Sequence, residues 1–156
     1  MGDYKSEQLT DIANKEALRA PIMTGKLRIA QFYFAVPSGL VVDESVELVW
    51  LPPGDIVVLG DISKGFISGE AGSYLDIGWE AYYDLDKQEV AGNAIGFANS
   101  LNTGSPGLLS LAPALAPTTS TKEFSSSSGV IIAATFTDVA PAEADIFRGY
   151  FIYVVK

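Results

Sequence analysis

The hydrophobic period of the chain changes from that of a helix to that of β-strands. Within residues 1–24, Leu9, Ile12 and Ala13 recur at the spacing of one helix face, and Pro21 disfavours helix at the residue before it. A helix of about a dozen residues with such a narrow apolar stripe is marginal on its own. We therefore expect residues 1–24 to form an extended arm that carries at most a short helix.

Beyond the arm, apolar and polar positions alternate with a period of two, which is typical of strands. Leu27 and Ile29 are followed in the opposite phase by Phe32 and Phe34, and this change of phase predicts a bulge at Ala30–Gln31. The same pattern predicts further strands at Val46–Trp50, Asp55–Ile62, Leu75–Trp79, Ala94–Ala98, Leu108–Leu111, Val130–Phe136 and Phe147–Val155.

About eight strands separated by clusters of Gly, Pro, Ser and Asp indicate one all-β domain over residues 25–156. The pattern favours an antiparallel β-sandwich, with a jelly roll as the best single prediction. An immunoglobulin-like sandwich is the alternative, but the chain lacks the Cys-Trp-Cys signature of that fold. We expect Asn99–Pro106 and the Ser/Thr-rich stretch Pro117–Gly129 to be irregular loops.

The final predicted strand is apolar on both of its faces. Phe147, Phe151 and Tyr153 alternate along it with Tyr150 and Ile152. Such a strand is typical of the centre of a sheet that is covered on both sides. It would also suit a subunit interface, whose contact residues would then be Tyr150, Ile152 and Val154.

The composition excludes several kinds of catalytic site, metal site and cross-link. The chain contains no histidine and no cysteine. Nucleophile systems that depend on a histidine or a cysteine are therefore excluded, as are metal sites built from thiolate or imidazole and a framework of disulfides. We expect no enzymatic activity and no cofactor.

The charge is acidic and unevenly distributed. Residues 1–28 hold five Lys or Arg and four Asp or Glu, which leaves five basic and fifteen acidic residues in 29–156, a net charge of −10. Such a body repels phosphate backbones and anionic lipid, so we expect no nucleic acid and no membrane as partner. No signal-peptide pattern or membrane-spanning apolar run occurs, which favours a soluble protein made in a cytoplasm.

Two groups of carboxylates resemble functional sites only superficially. Asp84, Asp86 and Glu89 begin like a calcium loop, but the later ligand positions do not match, so a solvated turn is the better interpretation. Asp76 and Glu80 flank Trp79, a combination of two carboxylates and an aromatic ring that glycosidases use, yet they stand roughly 13 Å apart along an extended strand. Both groups are interpreted as surface residues.

Several segments resemble the jelly-roll capsid cement (decoration) proteins of bacteriophages. They are Tyr4–Leu9 with Gly25–Arg28, Val46–Val58 with its Pro-Pro-Gly corner, Leu75–Trp79 and the apolar final strand. The resemblance implies an oligomeric virion protein, a homodimer or homotrimer made in the bacterial host cytoplasm. It also implies that the protein lies on the capsid exterior over the joints between major capsid protein subunits, with an arm that reaches neighbouring subunits.

Because the arm is near neutral and the body acidic, we expect the arm to contact the shell. The expected contact residues are Tyr4, Lys5, Leu9, Ile12, Arg19, Lys26 and Arg28. The alternative function is a carbohydrate-binding jelly-roll module of a phage tail or head spike. That function would require exposed aromatic side chains in a row, for which Trp79, Tyr82 and Tyr83 are the candidates.

Overall fold

The computed structural model describes residues 4–5, 27–68, 72–115 and 120–156, and these residues form thirteen strands. The strands are β1 Tyr4–Lys5, β2 Leu27–Ala35, β3 Ser45–Leu51, β4 Gly54–Leu59, β5 Lys64–Ile67, β6 Tyr74–Trp79, β7 Tyr82–Tyr83, β8 Glu89–Val90, β9 Asn93–Asn102, β10 Gly107–Ser110, β11 Thr121–Ser126, β12 Val130–Thr137 and β13 Ile146–Val155.

Two sheets form the body of the domain. In the first, which we call the β12 sheet, the strand order is β1-β3-β12-β6-β9. In the second, the β13 sheet, β2 pairs with one edge of β13, while β4 and β5 pair with the other edge and are themselves flanked by β11 and β10. The long strands alternate between the sheets along the chain, except that β6 and β9 share one. This order is that of a jelly roll, and it confirms the predicted all-β fold.

Strands β4 and β5 behave as one strand interrupted in its middle. A short 3₁₀ turn, Gly60–Ile62, separates them. Ser63 bridges the interruption, because its hydroxyl donates to the carbonyl oxygen of Leu59 and accepts from the backbone N–H of Ile152 on β13. The hydroxyl replaces the missing ladder bond, so β13 stays paired along this edge on both sides of the break.

An aromatic layer joins the two sheets. Phe151 of the β13 sheet lies 5.7 Å from Phe97 of the β12 sheet and 6.1 Å from Phe32, measured between ring centroids. Phe147 similarly lies 6.1 Å from Phe136 of the opposite sheet. The exposed fraction of Phe97, Phe136, Phe147 and Phe151 is 0%. These inward-facing rings form the core that holds the sandwich together.

Three sequence-based expectations about the body are wrong in detail. Strand β2 pairs with β13 in continuous register and has no bulge at Ala30–Gln31. Residues 121–126, expected in an irregular loop, form β11 paired with β4, and β9 runs on to Asn102 through part of the other expected loop. The helix expected in the arm lies outside the described residues.

Candidate interaction surface on the β13 sheet

Every second side chain of β13 points away from the core. Phe147, Phe151 and Tyr153 are buried between the sheets, whereas Arg148 is exposed and Tyr150 is half-buried. Ile152 and Val154 share the outward orientation and are also half-buried. The structure therefore places the three residues predicted for a subunit contact together on one face. That face is the exterior of the β13 sheet.

Cross-strand neighbours extend this apolar face over the sheet. Arg148 lies opposite Tyr33 of β2 and Phe66 of β5, and Phe66 in turn lies opposite Leu108 of β10. Leu108 is the most exposed of the large apolar side chains described, at 74%. We call the following set the outer face: Leu27, Ile29, Gln31, Tyr33, Val57, Lys64, Phe66, Leu108, Arg148, Tyr150, Ile152 and Val154.

The charge of the outer face is opposite to that of the body. Its two charged members, Lys64 and Arg148, are both basic, and strands β2, β5, β10 and β13 contain no Asp or Glu. Carboxylates flank this face along β4 and β11, where Glu123 lies opposite Val57 and forms a 2.9 Å ion pair with Lys156, and Asp55 accepts a hydrogen bond from Ser125. An acidic domain thus keeps one sheet exterior apolar and weakly cationic.

This arrangement suits binding to another protein surface. Half-buried aliphatic and aromatic groups supply area whose removal from water is favourable, at about 25 cal/mol per Å². Lys64 and Arg148 can pair with carboxylates at the rim of a partner. Among the described residues no group of three or more Asp or Glu side chains is arranged to hold a metal ion.

The residues predicted for shell contact do not gather at one place among the described strands. Tyr4 and Lys5 form β1, which runs parallel to β3 opposite Val46 and Glu47 at the edge of the β12 sheet. Arg28 lies on β2, in the other sheet, opposite Tyr153. The other four predicted contact residues, Leu9, Ile12, Arg19 and Lys26, lie outside the described residues.

Arg28 and Tyr153 interact electrostatically. Burial raises the pKa of the Tyr153 hydroxyl above its ordinary value, and the nearby Arg28 charge lowers it by a smaller amount. Arg28 is half-buried beside this ring rather than fully solvated. The Arg28 charge therefore interacts in part with another residue of the same domain.

The aromatic residues considered for carbohydrate binding do not form an exposed row. Trp79 packs edge-on against Phe97 and Phe124, each at 5.3 Å between ring centroids, and the Lys122 ammonium lies 4.6 Å from the centre of the Trp79 ring. Tyr82 is also buried, whereas Tyr83 is 49% exposed. One exposed ring does not provide a stacking platform for a sugar chain.

One carboxylate from each of the two groups hydrogen-bonds to the local backbone. Asp84 accepts a 2.8 Å hydrogen bond from the backbone N–H of Gln88 and closes the turn between β7 and β8. Asp76 accepts a 2.7 Å hydrogen bond from the backbone N–H of Ser100 and fastens β9 to β6. Both are turn or edge contacts.

A separate cavity of about 370 Å³ opens on the exterior of the β12 sheet. Its floor is made of small residues, among them Ser45, Gly78, Ala133 and Thr135. The backbone of Asn93 passes directly over Gly78. A Cβ atom at this position would overlap the Asn93 carbonyl oxygen, so the position requires glycine. The cavity lies where the pairing register of β6 and β9 shifts, between Ile77 and Trp79.

The pattern of apolar residues along the chain does not reveal most of the outer face. Tyr33, Phe66, Leu108 and Lys64 join the β13 residues only through cross-strand register. One signal was present: Leu27 and Ile29 are apolar in the phase opposite to Phe32 and Phe34. That change of phase marks a strand that is apolar on its exterior as well as its interior, and no bulge is needed to explain it.

Comparison with known proteins identifies structures that share this fold. No protein-family model and no curated protein matches the chain. A chain from the capsid of Ralstonia phage GP4 aligns with a TM-score of 0.66 and 14% sequence identity, over 97% of this chain and 97% of that one. A chain from the capsid asymmetric unit of cyanophage Pam1 aligns with a TM-score of 0.51 and 14% identity, over 92% and 96%. The likeness extends over nearly the whole domain.

No helix in the described part of the chain combines the length and apolar character needed to cross a bilayer.

Proposed function

We propose that this chain is a structural bacteriophage virion protein that binds the exterior of the capsid shell as a cement protein, with no enzymatic activity. The observation that carries the proposal is the outer face: an acidic jelly roll that keeps one sheet exterior apolar and weakly basic. Two solved structures of the same fold, matched over almost their full length, come from phage capsids and support this assignment. The proposed partners are the major capsid protein and further copies of this chain, with no nucleic acid and no membrane.

Within this function, the arm and the outer face have different tasks. The arm, residues 1–24, contacts the shell together with the adjoining Lys26 and Arg28, because the charge of the arm is near neutral while the body is strongly acidic. The outer face, with Tyr150, Ile152 and Val154 at its centre, carries contacts between copies in a dimer or trimer. Many weak contacts repeated over a shell add up through avidity.

The first test is the copy number in purified virus particles, measured by quantitative mass spectrometry against the major capsid protein. A ratio near one, or another simple fraction that corresponds to hundreds of copies, is the expected result. A few copies per particle would instead indicate a tail or spike component. Complete absence would overturn the proposal.

The second test separates the arm from the outer face. Deletion of residues 1–24 is expected to leave the unfolding transition of the domain nearly unchanged, since the described part of the arm pairs with the body only through Tyr4 and Lys5. It is expected to abolish cosedimentation with shells that lack the protein. A truncated domain that binds shells as well as the full chain would contradict the role of the arm.

A matched pair of substitutions tests the outer face. Ile152→Ser on this face should reduce self-association, measured by sedimentation equilibrium. Leu85→Ser, which removes a 54% exposed side chain outside the outer face, should leave self-association unchanged. If the two variants self-associated equally, the outer face would not form the contact between copies.

A further inference from the structure

Strand β2 forms one edge of the β13 sheet, and its hydrogen-bonding groups face in known directions. Val36 donates to the carbonyl oxygen of Asp145 and accepts from the backbone N–H of Ala144, so its polar groups face the β13 side. Because these groups alternate sides along a strand, Arg28, Ala30, Phe32 and Phe34 also face β13. The N–H and C=O groups of the residues between them face away from the sheet.

The opposite edge of β13 gives the same result independently. The carbonyl oxygen of Ile146 accepts from Ser68, and the N–H of Ile152 donates to Ser63, so the even-numbered residues of β13 face β4 and β5. The odd-numbered residues of β13 must then face β2. In the register between these strands, Phe147 lies opposite Phe34, which agrees with the assignment from Val36.

The outward edge of β2 is therefore formed by Leu27, Ile29, Gln31, Tyr33 and Ala35. No strand of the described ranges pairs with this edge. None of its five residues is charged, and the strand contains neither proline nor a bulge, which are features that commonly protect an edge. Gln31, Tyr33 and Ala35 are exposed.

We propose that this edge pairs antiparallel with β2 of a second copy of the chain, about a twofold axis at Gln31. The two Gln31 residues would then exchange backbone hydrogen bonds, and Ile29 of each copy would lie opposite Tyr33 of the other. A β-branched residue opposite an aromatic is a favourable cross-strand pair. Two bodies that each carry a charge of −10 in residues 29–156 can approach here because the contacting edge is uncharged.

The pairing joins the two β13 sheets into one continuous sheet. The outer faces of the two copies then lie side by side on the same surface of that sheet. This follows because, within each copy, Ile29 and Tyr33 of β2 lie next to Ile152 and Arg148 of β13. The inference deepens the self-association part of the proposed function, and it specifies a twofold dimer as the basic unit. It does not depend on the shell contact of the arm.

The test uses engineered cysteines in the full-length chain, which has none of its own. Opposed residues across an antiparallel pair have Cα atoms about 5.5 Å apart, within the range of a disulfide. Gln31→Cys should form a covalent dimer on mild oxidation in dilute solution without shells. The control Leu85→Cys, a 54% exposed position outside the outer face, should form no covalent dimer under the same conditions.

The register is tested by mixing two variants. Ile29→Cys and Tyr33→Cys should cross-link to each other in a mixture far more than either does alone. Cross-linking of Gln31→Cys to no greater extent than Leu85→Cys would overturn the pairing. If Gln31→Cys cross-links only after residues 1–24 are deleted, the arm of the same chain covers the edge, and the pairing is again wrong.

A charge substitution provides the equilibrium measurement. Gln31→Lys places two ammonium groups opposite each other at the axis and should weaken dimerisation about fivefold or more in sedimentation equilibrium. An unchanged association constant would contradict the proposed axis. Because neither assay contains shells, a failure of shell binding would affect the proposed function and leave these results unaltered.

Discussion

The guanidinium carbon of Arg148 lies 5.3 Å from the centre of the Phe66 ring on the exterior of the β13 sheet. These residues are far apart in the chain and become neighbours because β13 pairs with β5. The contact leaves the cation exposed in the middle of an apolar surface. A partner that covers this surface would therefore meet the charge of Arg148 directly.

Arg148→Glu should weaken binding to partners with little effect on folding. An exposed cation–π contact contributes about 0.5–1 kcal/mol, so the free energy of unfolding in urea should fall by no more than that. Self-association should be reduced, because the variant places an acidic group in the outer face. Lys87→Glu, in the turn between β7 and β8, makes the same charge change elsewhere. If it weakens binding equally, net charge rather than the outer face is responsible.

Phe151→Ala should destabilise the domain by about 3–5 kcal/mol, because it removes a completely buried ring that contacts both sheets. Urea denaturation measures the loss. The neighbouring Ile152→Ala, on the outer face, should cost no more than about 1.5 kcal/mol, since that side chain is only half-buried. Similar losses for the two variants would contradict the inward and outward assignment of β13.

Gly78→Ala should destabilise the contact between β6 and β9. The new Cβ atom would overlap the Asn93 carbonyl oxygen, and forced overpacking of this kind costs about 1–3 kcal/mol or more. Hydrogen exchange should accelerate in β9 before it does in β13. Gly107→Ala serves as the control, since nothing lies within 4 Å of its added Cβ atom, and it should be nearly neutral. A stable Gly78→Ala protein with unchanged exchange would show that β9 does not cross β6 this closely.

The stability of the domain should fall at high pH in a way that depends on Tyr153. Burial raises the pKa of this hydroxyl above the ordinary 10.0, which outweighs the lowering by Arg28. The folded state then holds its proton where the unfolded state has lost it. The stabilisation is therefore complete below pH 10 and is lost as the pH rises through the folded-state pKa.

Tyr153→Phe removes this titration. The free energy of unfolding, measured in urea at pH 8 and pH 11, should decrease less between the two values for the variant than for the wild type. The comparison at pH 8 corrects for any direct effect of losing the hydroxyl. Tyr82→Phe should act in the same direction, because burial and then the Asp84 charge raise the pKa of Tyr82. An equal decrease in the free energy of unfolding between pH 8 and pH 11 for the wild type and both variants would refute the raised pKa of these two hydroxyls.

Local pattern was sufficient for most of the fold. The alternation of apolar residues predicted strands at Val130–Phe136 and Phe147–Val155, within one residue of β12 and β13, because side chains alternate between the faces of a sheet whatever the strand pairs with. The jelly-roll prediction followed from the number and spacing of such strands. The apolar pattern did not predict strand β11, because its six residues include a single large apolar side chain, Phe124. Its place in the sheet depends instead on pairing with β4.

For the interaction surface, the period of two along the chain already puts Tyr150, Ile152 and Val154 on one side of a strand that is apolar on both faces. That this side is the exterior, and that Tyr33, Phe66 and Leu108 continue it across four strands, follows from the pairing of the strands in the folded domain. The reason is physical. The period of side chains along a strand is a local property of the backbone, whereas the register between strands is set by packing among residues that are distant in the chain.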